Sequence, residues 1–200
     1  MHNRTEIVSM INSIADNSFK APMLAFCEKN LKTVMTMPGA ISHHHNWEGG
    51  WADHTAQVMG IGISLYDQFK DGIGDSFNRD DVIVVGFCHD LDKLTRYKQA
   101  ESEWAKQKGY KWEFNKDNAP YEETSKAIVD CLRNGIMLTD EHVEAINHHH
   151  GGFSSDISSV YHGSGRMTSL STLLHCADML SAYLFGRKQP TKEELENATA

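Results

Sequence analysis

Apolar side chains recur at intervals of three and four residues along nearly the whole chain, and that period favours helices over any other regular structure. Ile7, Met10, Ile11 and Ile14 share one face. After Pro22, Met23, Leu24, Cys27, Leu31 and Met35 share another. The stretch 37–50, MPGAISHHHNWEGG, holds Pro38 and three glycines and interrupts the pattern. A third helix is expected from about Trp51 to Phe69, and a fourth from Asn78-Arg79-Asp80-Asp81, whose acidic first turn suits a helix N-terminus. This fourth segment runs through VIVVGFC, which propensity alone would equally allow as a buried strand, but a lone strand among helices has no partner. Further helices are expected over about 121–134, from Thr139 to the HHH run at 148–150, and over about 168–185, where Leu170, Leu173, Leu174, Ala177, Leu180 and Leu184 form a stripe.

The polar and aromatic segment 95–118 breaks this regularity. It contains Trp104, Tyr110, Trp112 and Phe114, and the alternation in GYKWEFN predicts a small hairpin or ordered insertion. Without repeats or low-complexity linkers, and with 200 residues of which 40% are hydrophobic, the expectation is an all-α chain forming a single domain over 1–200. Its core would span about 40–185, with a polar tail over 187–200 that frays.

Composition narrows the function. A formal net charge of -8 argues against extended nucleic acid as a partner, because such binding rests on many Lys and Arg contacts to phosphates. The four cysteines are scattered without a CxxC pair, as free thiols are in a reducing compartment. No stretch approaches the roughly 20 apolar residues that span a bilayer, and the N-terminus lacks a signal-type apolar run, so no membrane association and a cytoplasmic location are expected. Twelve histidines are unusual, and two internal HHH runs account for half of them.

The fourth helix ends in His89 and Asp90, followed by Asp92 and Lys93. Adjacent helical residues point about 100° apart, so a His-Asp pair converges on one object only near a helix end. A metal ion is such an object, and imidazole with carboxylate suits Mn, Fe, Co, Ni or Zn. His54, on the first turns of the third helix, and Asp178, on the flank of the last apolar stripe, are placed to face the same interior.

The segments HHNWEGGWADHT (44–55), CHDLDKL (88–94), INHHHGGF (146–153) and LLHCADMLSAYL (173–184) occur in this order. Together they resemble the HD superfamily of metal-dependent phosphohydrolases, in particular a bacterial and phage subfamily related to HD modules attached to some bacterial exoribonucleases. The resemblance implies a helical HD bundle in which His54, His89, Asp90 and Asp178 hold a divalent transition metal, one tight site with a second possible. It implies that Lys93 faces a substrate phosphate, and that Asp90 or His149 helps accept a proton from the attacking water. Related chains often carry another histidine where this one reads APYEETSK, so Glu122 or Glu123 would stand in its place at a second metal, together with His149 or His150. His44, His45 and Arg96 are candidates for substrate contacts, Arg96 from a local excess of basic residues over 93–116.

The function expected is hydrolysis of a small phosphate ester, a nucleotide or deoxynucleotide first, with manganese among the candidate metals. A metal-containing nucleotide-binding regulator without turnover, a di-iron oxygenase on the same fold and an exonuclease acting on short oligonucleotides are the alternatives. A homo-oligomer is possible, although no apolar stripe points to an interface.

Overall fold

The computed structural model describes residues 2–73, 76–118, 122–151 and 167–189. Helices dominate it: α1 (His2–Asn12), α2 (Asn17–Lys29), α3 (Leu31–Thr36), α4 (Gly50–Ile73), α5 (Arg79–Cys88), a short α6 (Lys93–Arg96), α7 (Glu103–Gln107), α8 (Glu123–Arg133), α9 (Asp140–His148) and α10 (Ser169–Leu180). A π-helical turn, Ser181–Phe185, continues α10. Two strands, β1 (Tyr97–Gln99) and β2 (Trp112–Phe114), pair antiparallel with Tyr97 opposite Phe114 and Gln99 opposite Trp112. The helical bundle with an aromatic insertion near 95–118 is therefore observed, the insertion being this hairpin with α7 between its strands.

Helix α4 is the hub, packed by α5, α10 and α1. Its buried face includes Trp51, Thr55, Val58, Met59 and Gly62, the spacing of one helical side. Two glycines set how close α5 comes. A Cβ on Gly62 would stand 2.9 Å from Val82 Cγ1, and one on Gly86 3.1 Å from Met59 Cγ. The run 82–88 that could have been a strand is helical and buried on every side. Asn78 decides its conformation: its side chain accepts from the Asp80 and Asp81 amides while Asp81 accepts from the Asn78 amide, a reciprocal cap that starts the helix just before the apolar residues.

The second helix departs from its expected start. It begins at Asn17, capped by Asp16 accepting from the Ser18 amide, and carries Pro22 inside it. Burial of Met23, Phe26 and Cys27 holds the helix through the proline, each such side chain contributing about 1.5–3 kcal/mol on full burial. It then stops at Asn30, so the face drawn from Met23 to Met35 is divided between α2 and α3. Cys27, Cys88 and Cys131 are buried and Cys176 is half-buried, and none of the four is in a disulfide. Gly152 and Phe153 of the third quoted block, the remainder of 152–166, and the tail from 190 lie outside the described residues. Among the described residues no helix is long and apolar enough to cross a membrane.

Candidate metal centre

Helix α5 delivers His89 as its C-cap, still in right-handed helical conformation, and the chain then turns through Asp90. Trp51, fully buried, fixes that turn: its indole N–H donates to the Asp90 carbonyl at 2.9 Å. His54 comes from the second turn of α4 and Asp178 from the last turn of α10.

These elements bring four side chains together. His54 Nε2 lies 3.2 Å from His89 Nε2, 3.2 Å from Asp90 Oδ2 and 3.1 Å from Asp178 Oδ1. His89 Nε2 is also 3.2 Å from Asp90 Oδ2. Neighbouring ligands bonded at about 2.0–2.2 Å to one ion stand roughly 3.0–3.5 Å apart, so this spacing fits a metal. His54, His89 and Asp90 form the tight trio; Asp178 approaches it through His54.

The hydrogen bonds behind the rings say which nitrogens are free. His89 Nδ1 faces the Gly86 carbonyl at 2.9 Å and must donate, leaving Nε2 as a lone pair. Ser181 Oγ donates to Gln57 Oε1 at 3.0 Å and therefore accepts from His54 Nδ1–H, also 3.0 Å away. His54 Nε2 is again a lone pair facing the cluster. Outer hydrogen bonds of this kind orient metal-binding imidazoles and fix their tautomer. Gln57 Oε1 also accepts from His45 Nε2 at 2.9 Å, and His45 Nδ1 accepts from His44 Nδ1 at 3.1 Å. Although His44, His45 and His54 nitrogens lie within 4.8 Å of one another, both ring nitrogens of His45 are thus engaged, which disfavours a metal there. His45 has φ 51, a left-handed conformation costly for a side-chain-bearing residue. It is held there by its amide donating to the Gly186 carbonyl at 2.7 Å and its carbonyl accepting from the Gly39 amide at 2.9 Å.

Electrostatics favour a cation at the trio. Burial disfavours an imidazolium at His54, but hydrogen bonds and charge from Asp178 and Asp90 outweigh it and raise its pKa. Burial also pushes the Asp90 carboxyl up, and Lys93 and His89 reverse this and hold it well below the usual range. Asp178 is depressed likewise, with His54 overcoming burial. Asp90 Oδ1 is buried with no hydrogen-bond partner. His149, fully enclosed at the end of α9, donates from Nδ1 to the Ile146 carbonyl at 2.7 Å and turns Nε2 towards that orphaned oxygen, 3.9 Å away. Burial and the neighbouring His89 push its pKa down to about 3, so it is a neutral base. His44 and His45 are pushed down to about 3 by burial and by His54.

The remaining candidates are distributed unevenly. Lys93 is buried, with its ammonium 2.6 Å from Asp90 Oδ2 and 3.8 Å from Glu123, and these carboxylates overcome burial to raise its pKa. Arg96 pairs with Asp92 and lines neither of the two cavities described below. Burial and the Asp90 charge push Asp92 up to about 7. Glu123 belongs with Asp90 and Asp92 to an acidic group, with Lys93 and Arg96 as its cations, whereas Glu122 is exposed at the start of α8. His150 joins His43, His44, His175 and Asp178 around a cavity of about 850 Å³ that Tyr183 and Arg187 also line. His175 donates to the His149 carbonyl at 2.7 Å and so ties α10 to the end of α9.

Gln57, Ser181 and Arg187 escape a reading of the sequence. The first two had a signal: each lies three residues after a candidate ligand, His54 and Asp178, on the same helical side.

No family model matches the chain, and no solved structure matches it. One curated protein, the dihydroneopterin 2',3'-cyclic phosphate phosphodiesterase of Methanocaldococcus jannaschii, is 26% identical over 105 residues. The match spans 48% of this chain and 42% of that protein. The chain is thus similar over part of its length to a phosphodiesterase.

Proposed function

We propose that the chain is an HD-type metal-dependent phosphohydrolase acting on a small phosphate ester, with cyclic and linear nucleotides as the first class to test. The observation that carries this reading is the outward anchoring of two imidazoles. Both Nδ1 atoms donate away from the site, so both Nε2 lone pairs converge with Asp90 Oδ2 at separations of 3.2 Å. The partial similarity to a phosphodiesterase supports it.

In this reading His54, His89, Asp90 and Asp178 hold a divalent Mn, Fe, Co, Ni or Zn ion. Such an ion supplies Lewis acidity to a phosphoryl oxygen and lowers the pKa of a bound water. Asp90 Oδ1 and neutral His149 Nε2 face each other across a gap too long for a hydrogen bond, which suits them to take a proton from an attacking water or to hold a second ion. Lys93 tempers the carboxylate charge of Asp90, and any contact with the substrate phosphate requires it to leave that partner. Arg187, in the lining of the large cavity, is the cation placed to meet the ester's anionic oxygens.

The test is metal analysis of the purified protein together with hydrolysis of bis(4-nitrophenyl) phosphate and of 2',3'-cyclic nucleotides under added Mn, Co, Ni, Zn or Fe. About one tightly held divalent ion per chain and turnover are expected, both lost in Asp90→Ala and His89→Ala. Wild-type metal content and turnover in either variant would overturn the ligand assignment.

A further inference from the structure

The hairpin insertion walls a second cavity, of about 300 Å³, against the loop that precedes α4. Tyr97, Trp104, Tyr110, Trp112 and Phe114 supply five aromatic side chains to its lining, with Ala40, Ile41, Ser42 and His43 opposite. They form two ring pairs, Tyr97 with Phe114 and Trp104 with Tyr110, each with centroids 5.6 Å apart. Two features distinguish this cavity from an ordinary aromatic mini-core. Trp104 and Phe114 remain exposed, by 61% and 58%, although they stand beside a cavity that could have enclosed them. Trp112 is buried, yet its indole N–H has no acceptor; a donor sealed from water without a partner is costly and rare.

The position of the cavity matters as much as its walls. His43 lines both it and the large cavity beside Asp178, so one residue borders the two spaces. Tyr97 reaches the other way, towards the charges of Lys93, Glu123, Asp90 and Asp92. The loop that carries His43 thus adjoins both the aromatic cavity and the one beside Asp178.

We propose that this cavity binds a planar heteroaromatic ring, of purine or pterin type, belonging to the phosphate ester turned over at the metal centre. Aromatic faces stack on such rings whatever their identity, whereas a plain sugar or alkyl phosphate has no face to offer. A ring nitrogen or carbonyl supplies the acceptor that Trp112 lacks. The volume is at the small end for ligand pockets, as suits one ring rather than a whole nucleotide.

The inference rests on the phosphohydrolase reading for where the phosphate lies, but its test does not depend on turnover. Calorimetric titration of the wild-type protein would compare adenosine and guanosine 5'-monophosphates with ribose 5-phosphate, which carries the same phosphate and no ring. At least one nucleotide should bind more tightly than ribose 5-phosphate. In Trp104→Ala, a substitution at an exposed site, that advantage should shrink by about 5- to 150-fold, the loss expected of one stacking partner. Trp112→Phe, which keeps the aromatic volume and removes the N–H, should reduce the same advantage. Equal binding of nucleotides and ribose 5-phosphate, or a ring preference undiminished in both variants, overturns the proposal. If bis(4-nitrophenyl) phosphate is hydrolysed and no ring preference exists, this inference alone fails. If the ring preference holds in a protein that hydrolyses nothing, the phosphohydrolase reading fails and the ring site stands.

Discussion

Ser181 illustrates how one small side chain can set the chemistry of another. It is fully buried and accepts from His54 Nδ1 while donating to Gln57, so it decides which His54 nitrogen keeps its lone pair. Replacing it with alanine leaves an imidazole N–H and the Gln57 carbonyl each short of one partner and frees the ring to turn. Ser181→Ala is expected to weaken divalent-metal binding by about 10- to 100-fold, the usual effect of losing such an outer partner. Equilibrium dialysis against Mn or Zn measures this, and an affinity equal to wild type would show that His54 is oriented by packing alone. The four candidate donors were legible through the resemblance of the ordered segments to the HD superfamily, since a His-Asp doublet alone could equally be a hydrogen-bonded pair at a helix end. Ser181 and Gln57 were not, since a serine and a glutamine on helices are ordinary until their partners 124 residues apart in the chain are known. Lys93 shows the opposite difficulty: its position in sequence is distinctive, but that it faces Asp90 at 2.6 Å is a matter of side-chain conformation.

At the scale of elements, most helices followed from apolar spacing, and the departures have local causes. Pro22 is tolerated inside α2 because tertiary burial outweighs one missing hydrogen bond, and the strand-like run 82–88 becomes helix because Asn78 caps it and helices surround it. The hairpin was foreseeable from alternation around Trp112, but its partner strand at Tyr97–Gln99 was not, because three residues carry too little pattern to identify. Acidic clasps then join the elements. Asp81 caps α5 and receives His142 Nε2 of α9 at 2.9 Å, while Glu144 of α9 accepts from Thr168 and from Ser171 at the start of α10. Burial raises both carboxyls, but hydrogen bonds from His142 and Asn78 in one case, and from Thr168, Ser171 and His148 in the other, leave both pKa values lowered. A carboxylate depressed in the folded state contributes stability above its unfolded pKa of about 4 and loses it as pH falls through the folded value. Asp81→Asn is therefore expected to cost about 1.5–3 kcal/mol at pH 7, with the gap from wild type narrowing towards pH 3. Denaturant unfolding at a series of pH values checks this; a gap independent of pH would mean that the carboxylate charge is not what the clasp uses.

For the molecule as a whole, the candidate metal centre would, once loaded, also be a fastener. Its donors come from α4, the end of α5 and the end of α10, and these helices share the same core beneath it. That core includes Trp51, Met59, Phe87 and Leu174, so the bundle has its own reason to fold, unlike small domains that depend on a metal for their structure. An ion that binds the folded chain and not the unfolded one adds stability by mass action, about 2.7 kcal/mol when free metal is 100 times its Kd. For a chain of this length each kcal/mol moves Tm by roughly 2–4 °C, so saturating metal should raise Tm by about 5–11 °C over chelated protein. Calorimetric scans with and without chelator measure the shift, and Asp90→Ala should show almost none. The folded baseline should survive chelation, because Trp51 holds the Asp90 turn from the core side through its indole N–H, independently of any ion. Collapse of the fold on chelation would instead make the metal the organiser of the bundle. An unchanged Tm at saturating metal would mean that the convergent His54, His89 and Asp90 donors do not act as one site.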